Sequence, residues 1–153
     1  MQSSVLKEET EKFIESLEEK LGSPMSYRTF CTWYCDSDGN LRDRGVFLCR
    51  FSDSIYYEDF EPKNDFIGDI LLGRRPSREK YVKMERVFAI SDIESIRVVT
   101  RSAAESDMRR EHREAGFLSR LLSRLVLQLK LRDGTLLFFE AMDRKEFIQA
   151  LGL

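Results

Sequence analysis

Histidine is almost absent from this chain, cysteine is sparse, and no long apolar run interrupts it. The sole histidine, His112, sits in a charged stretch with no serine or cysteine nucleophile placed by local sequence. It therefore reads as a surface residue, and nucleophilic or acid–base catalysis has little to start from. Three cysteines are an odd number for a disulfide framework in a chain of 153 residues. Cys31 and Cys35 share a strand face four residues apart, ~13 Å along an extended chain, too far to bridge or to share a metal. With one histidine they make a poor zinc set, so they read as small core residues, with Cys49 placed across from one of them. No metal and no cofactor is expected. No apolar stretch approaches the ~20 residues that span a bilayer. The first residues are acidic and polar, unlike a secretory signal. These absences predict a non-enzymatic protein in the cytoplasm or held at the inner face of a membrane.

Charge is present in quantity but nearly balanced, with 25 Lys and Arg against 27 Asp and Glu, a net of −2. That balance argues against a general nucleic-acid binder. The distribution is uneven. Residues 1–66 carry 8 basic and 14 acidic side chains, a net of −6; residues 67–153 carry 17 and 13, a net of +4. An anionic partner would meet the second half. Hydrophobic residues make up 42% of the chain, enough for a core in one domain.

The pattern of the last thirty residues is the clearest. Leu125 to Leu131 has an apolar residue at every second position, Arg132-Asp133-Gly134-Thr135 has turn chemistry, and Leu136 to Ala141 is a second extended run. This is a hairpin, its first strand having one wet face. Asp143 and Glu146 stand in the spacing of a capping box, opening a helix that buries Phe147, Ile148 and Leu151 and stops at Gly152. Upstream, strands are predicted over 27–35, 45–51, 55–60, 85–90 and 95–100, giving seven in all. Residues 4–21 form a helix, with Leu6, Phe13, Ile14, Leu17 and Leu21 on one stripe and a glutamate-rich opposite face that an anionic membrane would repel. The stripe is expected to pack on its own domain. Two long connections, 61–84 and 101–123, break the rhythm. The second ends in Phe117, Leu118, Leu121 and Leu122 at helical spacing, flanked by arginines, a stripe expected to fold back onto the strands.

The order of these elements resembles the pleckstrin-homology-like superfold, which includes the GRAM domains. Arg42-Asp43-Arg44-Gly45-Val46-Phe47-Leu48 is similar to that family's second strand and Ile55-Tyr56-Tyr57 to its third. Val87-Phe88-Ala89-Ile90-Ser91-Asp92-Ile93-Glu94-Ser95-Ile96 resembles a stretch common in GRAM-type members, and Phe147-Ile148-Gln149-Ala150-Leu151 matches the capping helix, with Phe147 near the place of its usual tryptophan. The resemblance covers about residues 26–153, with residues 1–23 as an added N-terminal helix. It implies a mainly β fold: a seven-stranded bent barrel or orthogonal sandwich capped by the C-terminal helix.

The resemblance also implies a binding module. Phosphoinositide-binding members hold phosphates with a basic residue on the first strand and a basic pair entering the second, which here are Arg28, Arg42 and Arg44. Asp36, Asp38 and Asp43 stand nearby and oppose that field. Two further basic groups are candidates for an anionic phospholipid or an acidic protein partner. One is Arg74, Arg75, Arg78, Lys80 and Lys83; the other is Arg109, Arg110 and Arg113. The expected function is docking onto an anionic membrane surface or a protein through these loops. The alternative is an assembly domain that uses the N-terminal helix or an open sheet edge and binds no lipid.

Overall fold

The computed structural model of the protein describes residues 2–34, 43–59 and 83–152. The loop holding Cys35 and Arg42, and nearly all of the 61–84 connection with Arg74, Arg75, Arg78 and Lys80, lie outside the described residues, as does the side chain of Leu6. The N-terminal helix α1 spans Gln2–Leu21. Seven strands follow: β1 (Met25–Tyr34), β2 (Asp43–Phe51), β3 (Ser54–Asp59), β4 (Glu85–Ala89), β5 (Ile93–Thr100), β6 (Leu125–Leu131) and β7 (Leu136–Glu140). Two short helices, α2 (Arg101–Ser106) and α3 (Phe117–Leu122), lie between β5 and β6, and α4 (Arg144–Ala150) closes the chain.

The strands form one antiparallel sheet in the order β4-β3-β2-β1-β7-β6-β5. Its inner face gathers Cys31, Trp33, Val46, Leu48, Ile55, Tyr57, Leu127, Leu129, Leu137 and Phe139 around Phe147 and Leu151 of α4. The expected burial of the last helix is therefore present. The predicted β6–β7 turn is also present: Gly134, at φ +87°, sends its N–H to the Leu131 carbonyl at 2.9 Å, and the Asp133 carboxylate accepts from the Thr135 N–H at 2.8 Å. Only glycine takes that backbone conformation without a steric cost.

The barrel expected from the resemblance is not closed. β4 and β5 end the sheet and do not pair with each other, although only the 3-10 turn Ile90–Asp92 separates them in sequence. β1 meets β7 at only two residue pairs, Thr32 with Glu140 and Trp33 with Phe139. The C-terminal helix packs into the core they share. Along the β5 edge, Ala115 donates to the Val98 carbonyl at 2.7 Å and Arg97 to the His112 carbonyl at 3.2 Å. Residues 112–115 thus blunt an edge that closure would otherwise have hidden.

Four further expectations are corrected. β6 has no wet face: Val126 packs with Val99, Ala104, Met108 and Phe138, and Gln128 is fully buried. The reason is that the charged first half of the 101–123 connection carries Ala104 and Met108 over that face. Its amphipathic second half, α3, is the part left in solvent. Asp143 forms no capping box; its side chain makes no cap hydrogen bond and instead accepts from Tyr27 Oη and, at 3.0 Å, from Thr29 Oγ1 of β1. Finally, Cys49 lies opposite Arg28 rather than Cys31, on the other face of the sheet.

Candidate interaction surface

Strand alternation decides where the predicted basic residues go. On β2 the even positions face the α4 core and the odd ones face α1. Arg44, opposite Trp33, is therefore on the inner face, where it pairs with the buried Asp59 at 3.2 Å. Arg28, opposite Cys49, is on the outer face beside α1. The two arginines stand on opposite sides of the sheet, five residues apart along β2, roughly 17 Å. The structure does not bring them together. Lys83 pairs with the buried Glu58 at 2.7 Å.

Glu58 belongs to the contact that holds α1 on the sheet. Tyr56 Oη donates to Glu58 and to Glu85, the latter at 3.1 Å, and Lys20 of α1 reaches Glu85 at 3.0 Å. Burial first, then the Glu58 hydrogen bond, raises the Tyr56 hydroxyl far above the ordinary phenol value, so it stays a donor. Leu17 packs among Phe47, Cys49, Phe51 and Tyr56, which confirms that the α1 stripe docks on its own domain.

The 101–124 excursion has a tied neck. Arg101 N–H donates to the Arg124 carbonyl at 2.8 Å, and the Thr100 hydroxyl caps α2 by accepting from Ala103 N–H at 3.2 Å. Glu140 on β7 clamps the base. It accepts from Tyr34 Oη and from Arg124 Nε and Nη2 at 2.9 and 2.6 Å, with Arg101 Nη1 at 4.0 Å. Burial alone would raise the Glu140 carboxyl; the hydrogen bonds from Tyr34 and Arg124 and the charges of Arg124 and Arg101 outweigh it and hold the group below the ordinary value. His112 is half-exposed and held in place by its neighbours. Its backbone N–H donates to the buried Gln128 Oε1 at 2.7 Å, its ring Nε2 lies 2.7 Å from the Asp107 carbonyl oxygen, and its ring lies 6.2 Å from Phe138. It serves to seat the loop on β6.

Above that base, α3, capped by Gly116 and Ser123, holds its apolar stripe in water. Phe117, Leu118, Leu121 and Leu122 are 77%, 69%, 67% and 84% exposed. These four apolar side chains lie together on one side of a single short helix. Arg120 lies within the helix and Arg124 just beyond its end. Arg120 bonds Glu114 at 2.5 Å and the Ala115 carbonyl at 3.0 Å, which fixes the start of the helix. Arg110 and Arg113 are exposed and carry no ion pair among the described residues, and Arg109 is exposed beside them. The apolar stripe was legible in sequence. Its exposure was not, because the sheet face it would have covered is already taken by Ala104 and Met108.

Other features carry less chemistry. Among the described residues no group of three or more His, Cys, Asp and Glu side chains could hold a metal ion. Burial pushes the Cys31 and Cys49 thiols up to about 12, too high for a reactive thiolate. No helix among the described residues is long and apolar enough to cross a membrane. Compared with known proteins, the chain matches no family model, no curated protein and no solved structure.

Proposed function

We propose that the protein is a non-catalytic binding module that docks onto an anionic membrane surface through α3 and the arginines beside it. The exposed Phe117-Leu118-Leu121-Leu122 stripe carries this reading. A short helix with an apolar face and basic residues beside it is suited to lie at the boundary between headgroups and acyl chains, its leucines in the apolar layer and its arginines among the phosphates. Each basic residue near an anionic surface contributes about 1 kcal/mol, and burying one leucine contributes ~1.5–3 kcal/mol. The tied neck at Arg101, Arg124 and Glu140 holds the helix ready, which lowers the ordering cost of binding. Seven consecutive antiparallel strands followed by a helix seated in their core support the resemblance to the pleckstrin-homology-like superfold. On this reading the protein works at the cytoplasmic face of a membrane.

Co-sedimentation with vesicles tests the proposal. The protein should pellet with vesicles containing phosphatidylserine and much less with purely phosphatidylcholine vesicles, and binding should weaken as salt rises. Equal recovery with both vesicle types would remove the electrostatic part. No recovery with either would remove the membrane reading and leave a protein as the partner of α3.

A further inference from the structure

The sheet ends in two edges, and the fold treats them differently. Along β5, residues 112–115 lie against the strand and Ala115 donates to the Val98 carbonyl. Along β4 no described residue plays that part. Two hydrogen bonds fix the direction of the backbone groups of β4. Asp59 N–H donates to the Met84 carbonyl at 3.0 Å, and Ile90 N–H donates to the Asp53 carbonyl at 2.8 Å. Bonded and non-bonded pairs alternate in an antiparallel ladder, so positions 84, 86, 88 and 90 bond toward β3. Glu85, Val87 and Ala89 turn their N–H and C=O groups the other way, where they meet no partner among the described residues. Open edges are commonly blunted by proline or by charges projecting along the edge. β4 has no proline, and its two charges turn to the sheet faces. Glu85 is held on the outer face by Lys20 at 3.0 Å and by Tyr56 Oη at 3.1 Å. Arg86 stands opposite Tyr57, whose ring belongs to the inner core. Val87, between them, is 49% exposed.

This outward row is complementary to itself. Turned about a two-fold axis through Val87, a second β4 runs antiparallel to the first. Val87 then meets Val87, Glu85 meets Ala89, and Ala89 meets Glu85, and each of these pairs can exchange both backbone hydrogen bonds. Arg86 falls across from Phe88. No like charges are opposed, which would destabilise a cross-strand pair, and the two exposed valines cover each other. We infer that the β4 edge pairs with β4 of a second copy of this chain, joining two seven-stranded sheets edge to edge. The contact is isologous, so it closes at a dimer. A second copy supplies the row in matching length and spacing by symmetry, which a strand of another protein does not. The stripe of α1 is already spent on its own domain, which leaves this edge as the assembly element. The inference does not depend on the membrane reading, because α3 takes no part in the contact.

Sedimentation velocity over about 10 to 500 µM tests the inference. The wild type should sediment faster as concentration rises, approaching a dimer and nothing larger. Val87→Pro removes one outward N–H and leaves the bonds to β3 in place, since an edge strand tolerates proline where the N–H faces away from the ladder. It should associate at least tenfold more weakly. Val87→Lys and Val87→Glu each set like charges against one another across the two-fold axis, so either protein alone should stay monomeric. Mixed, the two should form a one-to-one heterodimer, because opposite charges then meet at the axis. Leu122→Glu in α3 should dimerise like wild type. Circular dichroism checks that each variant is folded; should proline unfold the strand, the lysine and glutamate substitutions, made at an exposed side chain, decide the matter. A wild type that is monomeric across the range, a mixture that stays monomeric, or a folded Val87→Pro protein that dimerises like wild type would each overturn the inference. Loss of association in Leu122→Glu would overturn it as well and point to α3 as the assembly element.

Discussion

Replacing Leu121 and Leu122 together by serine separates a helix that serves the fold from one that serves a partner. The two side chains are 67% and 84% exposed, so the folded monomer gains little from them. Surface changes of this kind alter stability by about 0.5 kcal/mol or less. On a membrane the balance reverses. Full burial of a leucine contributes ~1.5–3 kcal/mol, and roughly half of that is realised at an interface where part of the side chain still meets water, giving about 1.5–3 kcal/mol for the pair. Each 1.4 kcal/mol is a factor of ten, so affinity for phosphatidylserine vesicles should fall by about 10- to 150-fold. The variant should be compared with wild type by vesicle co-sedimentation and by thermal unfolding at low protein concentration. A melting temperature lowered by more than about 5 °C would mean that α3 packs on the folded protein, and an unchanged vesicle affinity would mean that its leucines never leave water; either result refutes the reasoning.

Three further outcomes test the frame around α3. Asp143→Ala removes the acceptor of Tyr27 and Thr29, ties between β1 and the last turn before α4; loss of two hydrogen bonds to a carboxylate should cost about 2 kcal/mol and lower the melting temperature by roughly 4–8 °C, whereas a shift under 1 °C would mean the tie contributes nothing. The lowered Glu140 carboxyl contributes stability above its unfolded-state value, near pH 4.3, and that contribution is lost as pH falls through the lower folded value. The difference in melting temperature between wild type and Glu140→Gln should therefore be full at pH 7 and shrink below about pH 4; an equal difference at pH 7 and pH 3 would sink the clamp. Cys31 and Cys49, buried with thiols raised to about 12, should resist a thiol-reactive dye until the protein unfolds, and fast labelling of either in native buffer would contradict the core assignment.

Local periodicity alone determined much of this protein. Alternation at two residues marked β6, a short apolar run marked β7, Asp133-Gly134 marked their turn, and helical spacing marked α1, α3 and the buried Phe147 and Leu151. These patterns are legible because strand and helix geometry act over a few residues. Which apolar stripe is covered is a different question, since it depends on what already occupies the facing surface. The stripe of α1 found Phe47 and Tyr56; the similar stripe of α3 found its place taken by Ala104 and Met108 and stayed in water. Partner choice for polar groups followed the same rule. Asp143 had the spacing of a cap, but Tyr27 and Thr29 of β1 lie within reach of its carboxylate and donate to it instead. Arg28 and Arg44 are both basic, yet strand parity sent them to opposite faces. Sequence thus determined the elements and their apolar faces, while only the tertiary structure decided which faces meet, because that is settled by competition among distant segments for the same surface.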